Sequence, residues 1–327
     1  MNIANPDNIN LATAVWLADD AYDYVPNTIS TTTLMRSVRK IILSMRAEKM
    51  QRKVSISDLV ASSMGTAIHD SIERVWLNKD RVTKALIKLG YSEQEAGRIV
   101  INPTKVEKGQ FPIYVENRMA KQVKGMTVTG KYDMVMNGQL QDHKSTSVFG
   151  YMKGNKVKDF VLQGSIYRWL DPEIITLDTV QINYFFTDWS KLDSMKNPRY
   201  PVLRTIDEKY PLMSYEETDK YVNDKIDLIH MHQETPEPLL PECTPDDLWQ
   251  DESKYKYYSD PTVTDVTKRS TRSFDTLLEA NAFKASKHGV GVVLEQQGKV
   301  KACNYCNAKE VCSQKVRLEL SGQLLTK

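Results

Sequence analysis

Two aspartates and a lysine stand closest to chemistry in this chain. They lie in the stretch VTGKYDMVMNGQLQDHKS, residues 128–145. Asn137-Gly138 is a strong signal for a two-residue hairpin turn, so the spacing predicts a strand over Val128–Met136 and another over Gln139–Ser145. That loop length sets the pairing: Met136 faces Gln139, Val135 faces Leu140, Met134 faces Gln141 and Asp133 faces Asp142. Directly opposed side chains sit roughly 4.5–5.5 Å apart at Cβ, so the two carboxylates repel unless a cation lies between them. A hard divalent ion with oxygen ligands, Mg²⁺ or Mn²⁺, suits such a pair. Lys144 is two residues beyond Asp142 and shares its face. His143 points the other way, with its backbone carbonyl still close to the proposed ion. The bland alternative is the solvated face of an edge hairpin.

This arrangement resembles the active site of PD-(D/E)XK nucleases, with Asp133 as the first acid and Asp142-His143-Lys144 as the second acid and its lysine. The elements around the hairpin extend the resemblance. Upstream, Ile68, Ile72, Val75 and Trp76 mark the apolar stripe of a helix that carries Gly65 and His69. A histidine beside such a stripe packs in a core, or it binds. The G-x-x-x-H spacing ahead of the hairpin is similar to the RecB-like branch, where the histidine is a metal ligand, and the resemblance assigns that role to His69. Downstream, Phe160–Leu170 reads as a helix on which Gln163 and Tyr167, four residues apart, share a face. RecB-like nucleases carry Q-x-x-x-Y there. Gln163 could orient Lys144 or a phosphate, and the Tyr167 hydroxyl could bond a phosphate oxygen.

Phe111–Met119 reads as a strand containing Glu116, which serves either as a salt-bridge partner or as a further acid of the site. Val180, Ile182, Tyr184 and Phe186 alternate along a core strand over Thr179–Phe186. The resemblance, spanning roughly residues 65–190, implies an αβββαβ core of α/β or α+β class, a central mixed sheet flanked by helices. It also implies the chemistry: phosphodiester hydrolysis of linear double- or single-stranded DNA, most simply as an exonuclease. His69, Asp133, Asp142 and the His143 carbonyl would hold Mg²⁺ or Mn²⁺, and Lys144 would stabilise the attacking hydroxide or the phosphate charge.

The flanks are read as separate regions, 1–60 before a core of 61–235, and 236–327 after it. Residues 31–53 predict a helix with Leu34, Val38, Ile41, Ile42 and Met45 on one face. Its other face is basic: Arg36, Arg39, Lys40, Arg46, Lys49, Arg52 and Lys53. Such a face is either solvated or set against a phosphate backbone. Residues 78–100 read as a surface helical hairpin, and 211–233 as a helix. Lys153, Lys156 and Lys158 add local positive charge before the Gln163 helix.

Prolines 236, 238, 241 and 245 mark a boundary, and Cys243, Cys303, Cys306 and Cys312 all follow it or lie within it. The last three make C-x-x-C-x₅-C, and four thiolates suit either Zn²⁺ or an iron–sulfur cluster. This tail resembles that of AddB-type and CRISPR-associated RecB-like nucleases, which implies a structural 4Fe–4S cluster. In those relatives the distant cysteine precedes the core, whereas Cys243 follows it, which keeps zinc open. A helix is expected over Asp275–Ala285. The stretches TTTLMRSVRKIILSMR, SDLVASSMGTAIHD and PECTPDDLW are also similar to phage-encoded exonucleases.

Composition narrows the field. The chain has 327 residues, 41% hydrophobic and 26% charged, and a formal net charge of +2. That fits one large or two smaller globular domains, and any basic footprint must be local. No apolar run long enough for a membrane span and no secretory signal is present, so an intracellular location, the cytoplasm of a host cell, is expected. No phosphate-binding G-x-x-x-x-G-K-[ST] occurs, so no ATP-driven motor is read here. Three other readings stay open: an endonuclease of the same fold, a module that grips DNA ends and recruits recombination or replication partners, and a metal-thiolate sensor.

Overall fold

A computed structural model describes residues 2–19, 28–47 and 53–325. The chain forms two compact units: Met1–Met35 with Gln51–Leu228, and Arg36–Met50 with Ile229–Lys327. Residues 36–50, read above as part of an N-terminal arm, cluster with the C-terminal segment.

The first unit is a mixed α/β body. Besides a small parallel pair, Asn2–Ala4 with Lys53–Ser55, its strands are β1 (Thr28–Ser30), β2 (Ile99–Ile101), β3 (Phe111–Val115), β4 (Arg118–Val123), β5 (Met126–Lys131), β6 (Met134–Met136), β7 (Gln139–Thr146), β8 (Thr179–Phe186) and β9 (Thr205–Pro211). Six of them form one sheet in the order β9-β8-β7-β6-β3-β2, parallel at β8–β7 and β3–β2 and antiparallel elsewhere. A separate three-stranded sheet has the order β1-β5-β4. The principal helices, in chain order, are α1 (Val38–Ala47), α2 (Val60–Trp76) and α3 (Val157–Leu170).

Two expected strands are broken. Phe111–Met119 stops at Val115 and resumes at Arg118, because Glu116 turns into the left-handed region at φ 55°. Val128–Met136 breaks at Tyr132-Asp133, where the chain leaves the small sheet and enters the large one. The two neighbouring chains thus change sheets side by side, and Glu116 N–H donates to the Asp133 carbonyl at 3.1 Å across the gap.

The hairpin between β6 and β7 has the register its turn dictates, with Met136 opposite Gln139, Val135 opposite Leu140 and Met134 opposite Gln141. Asn137 and Gly138 both have positive φ, 46° and 86°, the pattern of a type I′ turn. A Cβ on Gly138 would lie 2.1 Å from Thr176 Oγ1. Gly138→Ala is therefore expected to cost roughly 1–3 kcal/mol, read as a lowered denaturation midpoint with an unchanged m-value.

Alternation along β7 and β8 assigns the two faces. Val180, Ile182, Tyr184 and Phe186 are buried, and Leu140 joins their apolar cluster. Helix α3 lies on this face: a Cβ on its Gly164 would meet Val180 Cβ at 3.1 Å and Leu140 Cδ2 at 3.3 Å. Helix α2 lies on the other face. A Cβ on Gly65 would stand 3.1 Å from Ser145 Oγ, and Ile72 and Trp76 pack on Ile113, Val115 and Met134. The sheet is thus sandwiched between the two helices that carry His69 and Gln163-Tyr167.

The helix expected over 31–53 is split. Thr31–Leu34 is a short helix in the first unit, and α1 begins at Val38 in the second. Lys49 and Arg52 lie outside the described residues. The helix expected from 211 starts at Tyr215, because Thr205–Pro211 pairs with β8 as a sheet strand. Residues 78–100 form helices Lys79–Lys88 and Glu93–Gly97 before β2.

The second unit holds β10 (Lys254–Tyr258), β11 (Arg272–Phe274) and β12 (Val292–Gln296), antiparallel in the order β11-β10-β12. A helix at Leu277–Ser286 starts at a capping box of Thr276 and Glu279. Helix α1 buries Ile41, Ile42 and Leu43. Its Arg39, read as part of a basic face, is only 1% exposed. The guanidinium donates to Leu240 O at 2.7 Å, Ser313 Oγ at 3.0 Å and Cys312 Sγ at 3.5 Å, and pairs with Glu237. Arg46 donates to the carbonyls of His232, Gln233 and Thr235 at 3.3, 2.8 and 2.7 Å. These two arginines thus bind the unit's own backbone, which corrects their reading as part of a phosphate-facing surface.

Candidate active site

The site is built where the two chains change sheets. Asp133 falls one residue before the last β6–β7 pair, so the ladder position opposite Asp142 is filled by its side chain. Asp133 Oδ2 accepts from His143 N–H at 2.7 Å. Oδ1 faces His69 Nδ1, on α2, at 3.3 Å. Burial alone would push this carboxyl up, but His69, the His143 N–H and Lys144 together hold it below the ordinary carboxylate value. Its bond to Asp133 in turn raises the His69 imidazole above its usual value, against the opposing effect of burial.

Asp142 is 5% exposed. Burial raises its carboxyl above the ordinary range despite the nearby lysine. Lys144 Nζ lies 2.6 Å from Asp142 Oδ2. Burial would lower the ammonium, but Asp142 dominates and the lysine holds its proton more firmly than usual. Oδ2 has this ion pair yet no well-directed hydrogen bond among the described residues. Such a buried acceptor retains capacity for a further cation.

Helix α3 completes the line. Lys144 Nζ donates to Gln163 Oε1 at 3.3 Å, and Gln163 Nε2 donates to Tyr167 OH at 2.9 Å. The Phe160 ring, one turn earlier, lies 5.4 Å from the ammonium. Burial raises the Tyr167 phenol, so it stays protonated. Gln163 and Tyr167 thus position the lysine. Tyr167→Phe should leave the core packed while loosening Gln163, read as an unchanged unfolding midpoint with a shifted Gln163 side-chain amide resonance. An unshifted resonance would show that the Tyr167 hydroxyl does not hold Gln163.

His143 is buried on the α2 side of the strand. Its Nδ1 lies 3.3 Å from Asn183 Nδ2, and its ring meets that of His69 edge-on at 6.0 Å. Burial lowers its pKa, Nδ1 is placed to accept from the Asn183 amide, and the buried Nε2 has no partner among the described residues. Glu116, expected within a strand, sits instead at the strained corner. It pairs with Lys131, and burial raises its carboxyl, with Asp133 adding to the effect. It is therefore both salt-bridged and next to the acids. Sequence reading missed Lys131, Asn183 and the Phe160 ring under the lysine. The alternation of Thr179, Gln181 and Asn183 marked a polar face of β8, but nothing local gave its register on β7.

The donor set of two carboxylates, a backbone carbonyl and an imidazole fits a hard divalent ion. Each acid is at present turned to its own partner, Asp133 to His69 and Asp142 to Lys144. Among the described residues, no three His, Cys, Asp or Glu side chains are grouped as a bound ion would draw them.

In the second unit the four cysteines are free thiols. Cys303 is pushed up to about 11, by burial first and then by Cys306, Cys312 and Cys243 nearby. Cys243 Sγ lies 3.2 Å from Ser37 Oγ, and Cys312 Sγ accepts from Arg39. Among the described residues, no helix is long and apolar enough to cross a membrane.

No family model matches the chain, and no curated protein matches it. Among solved structures it is similar to the crystal structure of SSO0001, with 15% identity and a TM-score of 0.42, over 69% of this chain and 89% of that one. It is also similar to a phage related exonuclease from Haemophilus somnus 129PT, with 13% identity and a TM-score of 0.25, over 38% of this chain and 61% of that one. With TM-scores this low, neither likeness carries weight for function.

Proposed function

We propose that this chain is a metal-dependent deoxyribonuclease with a PD-(D/E)XK-type core, acting on the ends of linear DNA. One observation carries the reading. Buried Asp142 pairs with Lys144 at 2.6 Å, and half-buried Asp133, at the corner before the neighbouring strand, faces His69 at 3.3 Å. A solvated hairpin face has no reason to bury an acid and its lysine together, and burial of charge is costly unless it serves a purpose.

Asp133, Asp142, His69 and the His143 carbonyl would hold Mg²⁺ or Mn²⁺, which when bound polarises phosphate and lowers the pKa of water. The chain's own residues supply the rest. Lys144, a compact charge held by Gln163, stabilises negative charge developing on the attacked phosphate. Tyr167 fixes Gln163. Glu116, beside Asp133, is a further acid at the same corner. The His143 N–H and His69 favour the ionised form of Asp133.

We propose that the four thiols of the second unit would hold a 4Fe–4S cluster, with Zn²⁺ the alternative, in a structural role, on the C-x-x-C-x₅-C spacing and the mutual influence of the four sulfurs. Ser37 and Arg39 would then donate to ligand sulfurs. Visible absorption and iron content of anaerobically purified protein distinguish the two. The proposed activity is tested by metal-dependent loss of linear DNA, which EDTA should stop. No hydrolysis by anaerobically prepared protein with Mg²⁺ or Mn²⁺ would overturn it and favour a DNA-end-binding module.

A further inference from the structure

A cavity of about 500 Å³ opens beside the lysine, within the ~300–1,000 Å³ range of small-ligand sites. Lys144 is not a wall of it, but Phe160 beneath the ammonium is, and so is Thr146, next along the same face of β7. Its aromatic wall is graded. Tyr151 and Tyr184 meet edge-on with ring centres 5.0 Å apart, and Phe160 and Tyr184 at 6.2 Å. The floor is Glu208 on β9. Tyr151 OH donates to its Oε1 at 2.6 Å, Tyr210 OH donates to its Oε2, and Tyr184 OH lies 3.1 Å from Tyr210 OH. Arg199 and Lys156, both exposed, stand at the mouth.

The charges are arranged in depth. A carboxylate at the bottom only accepts hydrogen bonds and repels phosphate, while the cations at the rim attract it. A flat neutral ring enters and its phosphate stays outside. Stacking on aromatic rings is a main source of affinity for single-stranded nucleic acid. The floor also selects. Cytosine, adenine and guanine carry an exocyclic amine that can donate to Glu208, whereas thymine presents a single N–H between two carbonyls that the carboxylate repels.

Resting on the nuclease reading above, we propose that this cavity holds the nucleotide adjoining the scissile phosphate. Its base stacks on Tyr151 and Phe160 and is read by Glu208, and its phosphate lies at Arg199 and Lys156. The enzyme is therefore selective for an amino-bearing base at that position.

The test uses the full-length protein and two variants. Glu208→Gln keeps the volume and an acceptor for one tyrosine, requires the other phenol oxygen to accept from the new amide, and removes the charge; Arg199→Ala alters only an exposed side chain. Cleavage kinetics are measured on short single-stranded oligodeoxycytidylate and oligothymidylate. The wild type should favour deoxycytidylate by roughly fivefold or more in kcat/KM, and Glu208→Gln should erase most of that preference. Arg199→Ala should raise KM on both substrates more than it lowers kcat. A wild type without preference, or a preference untouched by Glu208→Gln, overturns the proposal. Calorimetric titration with dCMP, dTMP and inorganic phosphate reads the cavity without any cleavage. Tighter binding of dCMP, lost in Glu208→Gln, supports the cavity even if no DNA is cut, in which case the nuclease reading alone fails. Equal binding of dCMP and inorganic phosphate overturns the cavity even if DNA is cut.

Discussion

Lys144→Ala should lose cleavage by roughly a hundred- to a thousandfold, the scale seen when one charge-stabilising donor is removed. The variant needs a control for folding, because Asp142 is 5% exposed and would keep its charge without a partner. Breaking a buried pair from one side costs ~3–5 kcal/mol, part of which Asp142 escapes by taking up a proton. A double variant separates the two effects. Adding Asp142→Asn to Lys144→Ala removes the orphaned charge, so stability should return toward the wild type while cleavage stays absent. Thermal unfolding and single-turnover cleavage, measured on both single variants and the double, read this cycle. Full cleavage by Lys144→Ala would remove the lysine from the mechanism. Recovery of cleavage in the double variant would remove both Lys144 and Asp142 from the mechanism.

The second large effect is expected far along the chain, at Arg39→Met. This guanidinium reaches Leu240 O, Ser313 Oγ, Cys312 Sγ and Glu237 from a position 1% exposed. Its removal leaves the Glu237 carboxylate without its cation and Leu240 O, Ser313 Oγ and Cys312 Sγ without this donor, a loss of ~3–5 kcal/mol. The second unit is expected to open first, seen as protease cleavage in residues 229–325 at temperatures where the wild type is resistant. Arg39→Lys should rescue little, because an ammonium cannot span several acceptors in one plane. If a cluster or ion is held by the four cysteines, the same variant should also purify with less metal. Wild-type stability in Arg39→Met would mean that the arginine only fills space.

Local rules made the hairpin legible. Asn137-Gly138 fixed a type I′ turn, and the turn fixed three residue pairs without help from the rest of the chain. Helix spacing alone placed Gln163 and Tyr167 on one face, and alternation alone found β8. The corner was not legible. Glu116 and Asp133 lie where two strands pass from one sheet to another, and that crossing depends on a partner distant in sequence, β1 for the small sheet. The basic face of α1 misled for a related reason: charge suggests solvent, but Arg39 carries enough donors to be satisfied inside. The cavity was invisible because Tyr151, Phe160, Tyr184, Glu208 and Tyr210 come from four separate elements.

The most direct measurement is degradation of end-labelled linear DNA beside a closed circle, with Mg²⁺, Mn²⁺ or EDTA, by the wild type and Asp133→Asn. Loss of the linear DNA alone, dependent on the metal and absent in the variant, is the result expected of an end-acting nuclease using these acids. Cutting of the circle as well would make it an endonuclease of the same site. Hydrolysis that persists in EDTA, or in Asp133→Asn at the wild-type rate, would contradict the assignment of the two aspartates.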